Sequence, residues 1–373
     1  MLLRSFLIVL FLSFAIPQAV HAKPPSISAD AAVMMDAKTG QVFFAKNPCK
    51  QRPPASLTKI MTAIIALENS SPGELVTVSE NAASVYEGQR IDLHTGDKIT
   101  LHNLLKAALI YSANNSTVAI AEHVGGSEKR FLEMMNEKAR LIGAVNTRFA
   151  NTNGYTHPNH YSTAYDLALI TRYALGNPAF RKYVRCKEAD VEWVEPKRTE
   201  KIYSTNRLLE ENYPGVEGVK TGSTSAAGNC LIILANRDGR SLITVALDCC
   251  DRYHDTIALL NYGFNQIISL DLCSTGQPSS FIAVRGGKEP RVALVGEKNY
   301  TVNLLRSDLP MLKRKLNVDS DVSAPVYYRQ KLGVESFYLG DKKIASVNLV
   351  AGNPVSRKGL GAQLYEKIFG GQS

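Results

Sequence analysis

Residues Pro54–Glu68 read PASLTKIMTAIIALE, and within them a lysine heads a nearly continuous apolar run. The run Ile60–Leu67 is rich in good helix formers, which predicts a buried helix. Residues three apart lie on one helix face, so Ser56 and Lys59 would form a hydroxyl–amine pair at the helix start. A serine becomes a good nucleophile only when a neighbouring base takes its proton. Burial or a nearby cation would lower the lysine pKa enough to make it that base.

A structural interpretation of the same pair also stands. Ser56 would then be a simple helix N-cap, and Lys59 would extend its amine to solvent from a surface helix. An S-x-x-K spacing is common enough that it does not separate the two interpretations by itself.

Two further motifs favour a catalytic site. In YSAN, Ser112 and Asn114 fall in a break between two predicted helices, where functional side chains are often placed. In VKTGST, Lys220 and Thr221 lie on a predicted strand, and Gly222 allows another backbone to come close.

The ordered set S-x-x-K, S-x-N and K-T-G is the signature of active-site serine penicillin-binding proteins and β-lactamases. The chain resembles the low-molecular-mass penicillin-binding proteins, which are serine-type D-alanyl-D-alanine carboxypeptidases. Further blocks match in the family's order: PASLTKIMTA, HYSTAYDLALITRYAL, STNRLL, GVEGVKTGSTSAAGNCL and LLNYGF. The resemblance extends over nearly the whole mature chain.

The resemblance implies a role for each catalytic position. Ser56 would attack the carbonyl of the penultimate D-alanine and form an acyl-enzyme. Lys59 would be the general base, and Ser112 would relay a proton towards the leaving amine. No metal or cofactor is implied.

The resemblance also implies how the substrate is held. Asn114 would hold the substrate amide. Lys220 and Thr221 of the K-T-G motif, which ends at Gly222, would bind the terminal carboxylate, and Arg207 would assist them. The oxyanion hole would consist of the backbone N–H groups of Ser56 and Ser223.

Three positions depart from the family pattern. Asn115 stands where an aspartate is common after S-x-N, and Ser223 stands where an aromatic residue or a histidine is common after K-T-G. The NTNGY segment lacks the usual H-G-L. Because the implied role of Ser223 is a backbone one, its change need not abolish catalysis.

The predicted fold class is α+β, with a penicillin-binding/β-lactamase-like domain of helices around an antiparallel sheet followed by a small all-β domain. One sheet would take strands from both ends of the first domain, beginning with the hairpin around DAKTG. Short β-like segments, including APVYYRQ, indicate the second domain. The expected boundaries are a signal peptide at 1–22, a catalytic domain at 25–268, a linker at 269–280, a β-rich domain at 281–352 and a tail at 353–373.

The N-terminus and the net charge indicate an exported protein. Residues 1–22 have the basic, apolar and small-residue regions of a secretory signal, with cleavage expected after Ala22. The formal charge is +9, and loss of Arg4 would leave +8. A basic surface suits the anionic cell envelope, and the scattered basic residues argue against nucleic acid. The expected location is the periplasm or the outer face of the cytoplasmic membrane.

The partners expected from the resemblance are a peptidoglycan stem peptide ending in D-Ala-D-Ala and β-lactams as covalent inhibitors. The tail SRKGLGAQLYEKIFGG has apolar residues on one helical face with basic neighbours, so a peripheral membrane anchor is one interpretation and a packed or frayed helix the other. The six cysteines permit disulfides or buried thiols, and the sequence does not choose between them.

Four alternative functions compete with that of a serine carboxypeptidase. A DD-endopeptidase of the same family carries the same motifs. A non-catalytic cell-wall-binding protein would be expected to lose Ser56, Lys59 or Lys220. A class A β-lactamase needs a deacylating glutamate, and no convincing E-x-x-x-N element follows Asn114. A metallo-carboxypeptidase could use the histidines of THPNH, but no H-E-x-x-H is present.

Overall fold

The computed structural model describes residues 24–319, 321–359 and 361. They form two compact units, one spanning Pro24–Asn265 and the other beginning at Gln266. The predicted signal peptide lies outside the described residues.

A five-stranded antiparallel sheet organises the first unit, in the order β2-β1-β9-β8-β7. All six residues of β1 are buried, and β1 pairs with β2 on one side and with β9 on the other. The prediction that both ends of the domain supply strands to one sheet is therefore confirmed. The strands are β1 Ala31–Asp36, β2 Val42–Lys46, β7 Val216–Thr224, β8 Gly228–Arg237 and β9 Arg240–Cys249.

Nine α-helices lie in the described part of the chain. The longest apolar one is α1, which is buried from its first residue to Ala66 and packs in the main core. Ser127 and Thr163 cap α5 and α6 through side-chain hydrogen bonds. The helices are α1 Lys59–Asn69, α2 Glu80–Ala83, α3 Leu101–Lys106, α4 Asn114–Gly125, α5 Glu128–Ile142, α6 Ala164–Ala174, α7 Pro178–Val184, α8 Arg207–Glu210 and α9 Arg252–Gln266.

A second, four-stranded sheet of the first unit has the order β3-β4-β5-β6. Its long hairpin, β5 with β6, was not predicted, because most of its residues are polar and exposed. Val191, Trp193 and Ile202 supply the buried side chains that hold it to the core. The strands are β3 Leu75–Thr77, β4 Lys98–Thr100, β5 Glu188–Glu195 and β6 Arg198–Tyr203.

The second unit is rich in β-structure, as predicted, and has its own apolar core. A six-stranded sheet has the order β14-β16-β17-β12-β11-β15, and β10 pairs with β13. The strands are β10 Ile267–Cys273, β11 Ser280–Arg285, β12 Arg291–Gly296, β13 Tyr300–Leu305, β14 Leu312–Val318, β15 Val322–Ser323, β16 Lys331–Leu339 and β17 Lys342–Ala351.

Two segments of this unit differ from the sequence-based expectation. The segment 269–280, for which a linker is predicted, begins within β10. The APVYYRQ segment, predicted as a strand, contains an isolated bridge between Val326 and Val355 instead. The prediction of a strand at APVYYRQ is therefore wrong. Pro325 has no N–H group to donate to a strand ladder, which disfavours a strand there.

Part of the predicted tail and all of the cysteines lie in the described ranges. Arg357 of the predicted tail bridges to Gly287, and 360 and 362–373 lie outside the described residues. All six cysteines fall in described ranges and are free thiols. Among the described helices, none combines the length and apolar character needed to cross a membrane.

Candidate active site

The turn that carries Ser56 is a short 3-10 helix, Ala55–Thr58, which leads directly into α1. No side-chain capping bond forms at this turn, so Ser56 is not the simple N-cap of the structural interpretation. Two glycines let other backbones approach it. A Cβ at Gly222 of β7 would lie 3.1 Å from the Ser56 nitrogen, and one at Gly154 would lie 1.9 Å from the Ala55 carbonyl oxygen.

Lys59 is fully buried, and its amine is held by three oxygens. The Nζ atom lies 2.8 Å from Ser56 Oγ, 2.7 Å from Asn114 Oδ1 and 2.8 Å from the Asn153 carbonyl oxygen. A neutral amine has two N–H groups and one lone pair. The two carbonyl-type oxygens can only accept, so they take the two N–H groups, and the lone pair is left to accept the Ser56 hydroxyl proton.

The electrostatic surroundings favour this neutral amine. Desolvation by burial, followed by the nearby Lys220 charge, holds the pKa of Lys59 well below its usual value. Burial and then the neighbouring Arg252 lower the pKa of Lys220 to about 7. Three basic side chains, those of Lys59, Lys220 and Arg252, therefore lie close together, and the two lysines are out of reach of solvent.

An open cleft of about 700 Å³ contains Ser56. Six of the predicted site residues line it: Ser56, Ser112, Asn114, Thr221, Gly222 and Ser223. Lys59 and Lys220 lie buried and do not line it.

Ser112 and Asn114 reach the cleft because the helix before them ends abruptly. A π-helical turn, Ala107–Tyr111, follows α3, and Ser112 then takes a left-handed backbone conformation with φ of 75°. Asn114 begins α4, and its Nδ2 donates to the Glu87 carbonyl oxygen at 2.8 Å. The same side chain thus joins Lys59 to the segment that borders the cleft.

Arg207 does not reach the cleft. Its guanidinium pairs with Glu211 at 3.0 Å and lies over the Tyr253 ring, 4.4 Å from the ring centre. Arg252 lines the cleft instead, and its Nη1 donates to Ser223 Oγ at 2.8 Å and to the Gly222 carbonyl oxygen at 3.1 Å.

Sequence reasoning missed Arg252, Asn153 and Tyr155. The sequence does contain a signal for Arg252. This residue begins α9 directly after β9, and β9 lies beside β8, which pairs with β7 of the K-T-G motif. Asn153 contributes its main-chain carbonyl, for which no side-chain pattern exists. Tyr155 stands in the NTNGY segment that departs from the family pattern, and its hydroxyl donates to the Glu87 carbonyl oxygen.

One of the two histidines of THPNH, His160, is part of the fold around Ser56. His160 is buried, with Nε2 2.8 Å from Thr58 Oγ1 and Nδ1 accepting from the Ala150 N–H at 3.1 Å. Burial, with a smaller effect of His157, lowers its pKa to about 4, so the ring is neutral. Within the described ranges, no group of three or more His, Cys, Asp or Glu residues could hold a metal ion.

Comparisons with known proteins identify relatives of this chain. The family model described as D-alanyl-D-alanine carboxypeptidase matches residues 18–250, and that of the penicillin-binding protein 5 C-terminal domain matches residues 270–357. The chain is 32% identical to D-alanyl-D-alanine carboxypeptidase DacF of Bacillus subtilis, over 82% of this chain and 80% of the relative. It is 30% identical to DacD of Escherichia coli, over 92% and 91% of the two chains.

Solved structures give the same result for the fold. Penicillin-binding protein 5 from Haemophilus influenzae superposes with a TM-score of 0.70 at 28% identity, covering 90% of this chain and all of the other. Members of this family bind D-Ala-D-Ala peptides and penicillins, and they are typically exported. The chain therefore belongs to the D-alanyl-D-alanine carboxypeptidase family (peptidase S11), with a penicillin-binding protein 5 C-terminal domain, and is a serine-type D-alanyl-D-alanine carboxypeptidase.

Proposed function

We propose that this carboxypeptidase removes the terminal D-alanine of peptidoglycan stem peptides through an acyl-enzyme on Ser56. The observation that carries the proposal is the buried Lys59 amine, whose third contact is Ser56 Oγ at 2.8 Å. A lysine held in this way lacks the solvation that would keep it charged, and its lone pair faces the hydroxyl that must lose a proton.

In the acylation step, Lys59 takes the Ser56 proton as Oγ bonds to the carbonyl carbon of the penultimate D-alanine. The backbone N–H groups of Ser56 and Ser223 stabilise the oxyanion. The proton then passes through the Ser112 hydroxyl to the nitrogen of the terminal D-alanine, and the C–N bond breaks. A water molecule, with Lys59 again as base, hydrolyses the ester and restores Ser56.

The terminal carboxylate is held at the β7 wall of the cleft. Thr221 and Arg252 line that wall, and Lys220 lies buried behind it as an additional positive charge. Anionic groups are bound strongly where fixed cations and hydroxyl donors converge. Asn114 lines the same cleft, held by Lys59 at its Oδ1 and by the Glu87 carbonyl at its Nδ2, and we assign to it the contact with the substrate amide.

We also propose that the enzyme acts in the periplasm or at the outer face of the cytoplasmic membrane. The signal-like sequence at 1–22 supports export, and the basic, amphipathic sequence of 353–373 supports a peripheral membrane contact. Flotation of the mature protein with anionic vesicles, with and without 359–373, tests the contact. Equal flotation of the two forms would argue against a C-terminal anchor.

Intact-mass spectrometry of the mature protein with benzylpenicillin, followed by peptide mapping, tests the acyl-enzyme. We expect one adduct, located on Ser56, and release of D-alanine from a pentapeptide. Ser56→Ala should lose both, with a fall in kcat/KM of at least about 10³-fold. If Ser56→Ala keeps the adduct and the activity, the proposal fails. Cleavage of a cross-linked dimer in preference to the pentapeptide would assign the enzyme as an endopeptidase.

A further inference from the structure

A larger cleft of about 1280 Å³ runs along α5 in the first unit; we call it the α5 cleft. Asn153 and Tyr155 line both the α5 cleft and the catalytic cleft. Because the two share wall residues, they are direct neighbours. The size of the α5 cleft exceeds that of a usual small-molecule site, so it has room for several peptide residues.

The position of Ser56 decides which end of a substrate faces the α5 cleft. Gly222 of β7, next to the cationic carboxylate site, and Gly154 both approach the backbone of Ser56. The terminal D-alanine occupies the β7 side. The peptide that precedes the cleaved bond then follows the wall that the two clefts share, past Tyr155, and three extended residues would reach about 10 Å further.

The α5 cleft offers charges of both signs that are not neutralised within the protein. Lys129, Glu137 and Arg140 lie on one face of α5, and Arg148 lies across from them. In the described ranges, none of these four side chains forms an ion pair, unlike Glu133, which pairs with Arg130. Glu128 is half-buried in the same cleft, where desolvation raises its pKa.

A peptide with both an acidic and a basic group complements this arrangement. In a stem peptide, the residues before D-Ala-D-Ala have that chemistry: a γ-linked glutamate leaves a carboxylate free, and a diamino acid supplies an amine. A purely anionic or purely cationic ligand would be repelled by the half of the cleft charges that have its own sign.

We propose that the α5 cleft is an extended subsite for the part of the stem peptide that precedes D-Ala-D-Ala. Glu137 binds its amine and Arg140 binds its free carboxylate. The inference rests on the proposed function, because it takes the direction of the substrate from the carboxylate site.

The test compares two substrates across matched variants of the full mature protein. L-Ala-γ-D-Glu-L-Lys-D-Ala-D-Ala reaches the α5 cleft, whereas Nα,Nε-diacetyl-L-Lys-D-Ala-D-Ala lacks the glutamate and the free amine. The variants are Glu137→Gln and Arg140→Gln, and the control is Lys182→Gln on the exposed face of α7, outside both clefts.

We expect Glu137→Gln and Arg140→Gln each to lower kcat/KM for the pentapeptide about fivefold, mainly through KM. The short substrate and acylation by benzylpenicillin should change by less than about twofold. The control should change none of these. Equal losses on both substrates would show a structural role and overturn the inference, as would unchanged pentapeptide kinetics.

Binding of the tripeptide L-Ala-γ-D-Glu-L-Lys, measured by calorimetry, separates this inference from the proposed function. The tripeptide ends before the reactive bond, so its binding needs no chemistry. Binding that weakens in Glu137→Gln and Arg140→Gln supports the subsite even if Ser56 is never acylated. Acylation of Ser56 without any tripeptide binding would reject the subsite and leave the proposed function standing.

Discussion

At the scale of single residues, the protonation of Lys59 governs when Ser56 can react. The Lys220 charge is one of the two causes that lower the Lys59 pKa. Lys220→Gln removes that charge, so the pKa of Lys59 should rise. Because only the neutral amine accepts a proton, the rising limb of penicillin acylation against pH should then move to higher pH, with a lower maximum. Stopped-flow acylation from pH 5 to 10 measures the shift.

Lys201→Gln, which removes an exposed lysine paired with Glu188, is the matched control for this prediction. This control should leave the rising limb of the acylation rate at the same pH as in the parent protein. If Lys220→Gln does not move that limb either, burial alone sets the Lys59 pKa.

At the scale of elements, the 3-10 turn of Ser56 depends on the close approach of Gly154. Gly154 has φ of +99°, and an added Cβ would meet the Ala55 carbonyl, a backbone atom that cannot rotate away. Gly154→Ala should lower the free energy of unfolding by about 2–4 kcal/mol and slow acylation. Gly143→Ala, with φ of +89° and open space around it, should cost only about 1 kcal/mol.

Urea unfolding followed by the fluorescence of Trp193, the single tryptophan, reports on the first unit. Similar losses in the two glycine variants would show that backbone conformation, and not the contact with Ala55, accounts for the requirement.

At the scale of the whole molecule, each of the two units has a core of its own. All predicted catalytic residues belong to the first unit. A protein of residues 24–266 should therefore fold cooperatively and be acylated by benzylpenicillin at a rate within about threefold of the full mature chain. Circular dichroism and the acylation rate check this. An insoluble or unreactive product would show that the catalytic unit needs the second one to fold.

The sequence predicted those parts of the site that reside in side chains at short spacings. Ser56 and Lys59 are three residues apart on one turn, so local geometry brings them together whatever the rest of the fold. Arg252 and the carbonyl of Asn153 reach the same place only through the sheet and a loop, which no short pattern encodes. Arg207 shows the reverse case: a family block suggested a role in carboxylate binding, whereas in this structure the side chain pairs with Glu211 and lies over the Tyr253 ring.

The same limit applied to the fold. Apolar runs such as β1 and α1 were predicted, because segments made mostly of apolar residues are expected to be buried. The β5–β6 hairpin was missed, because few of its side chains are buried.

The pairing of β1 with β9 has a consequence for the timing of folding. The most buried strand, β1, is the first strand of the catalytic unit to be made, yet its partner β9 ends at Cys249, more than 200 residues later. A growing chain holds β1 without that neighbour until most of the unit has been synthesised, and such distant pairing makes folding slow. An export route that threads unfolded chains would therefore have time to engage this protein before its central sheet closes.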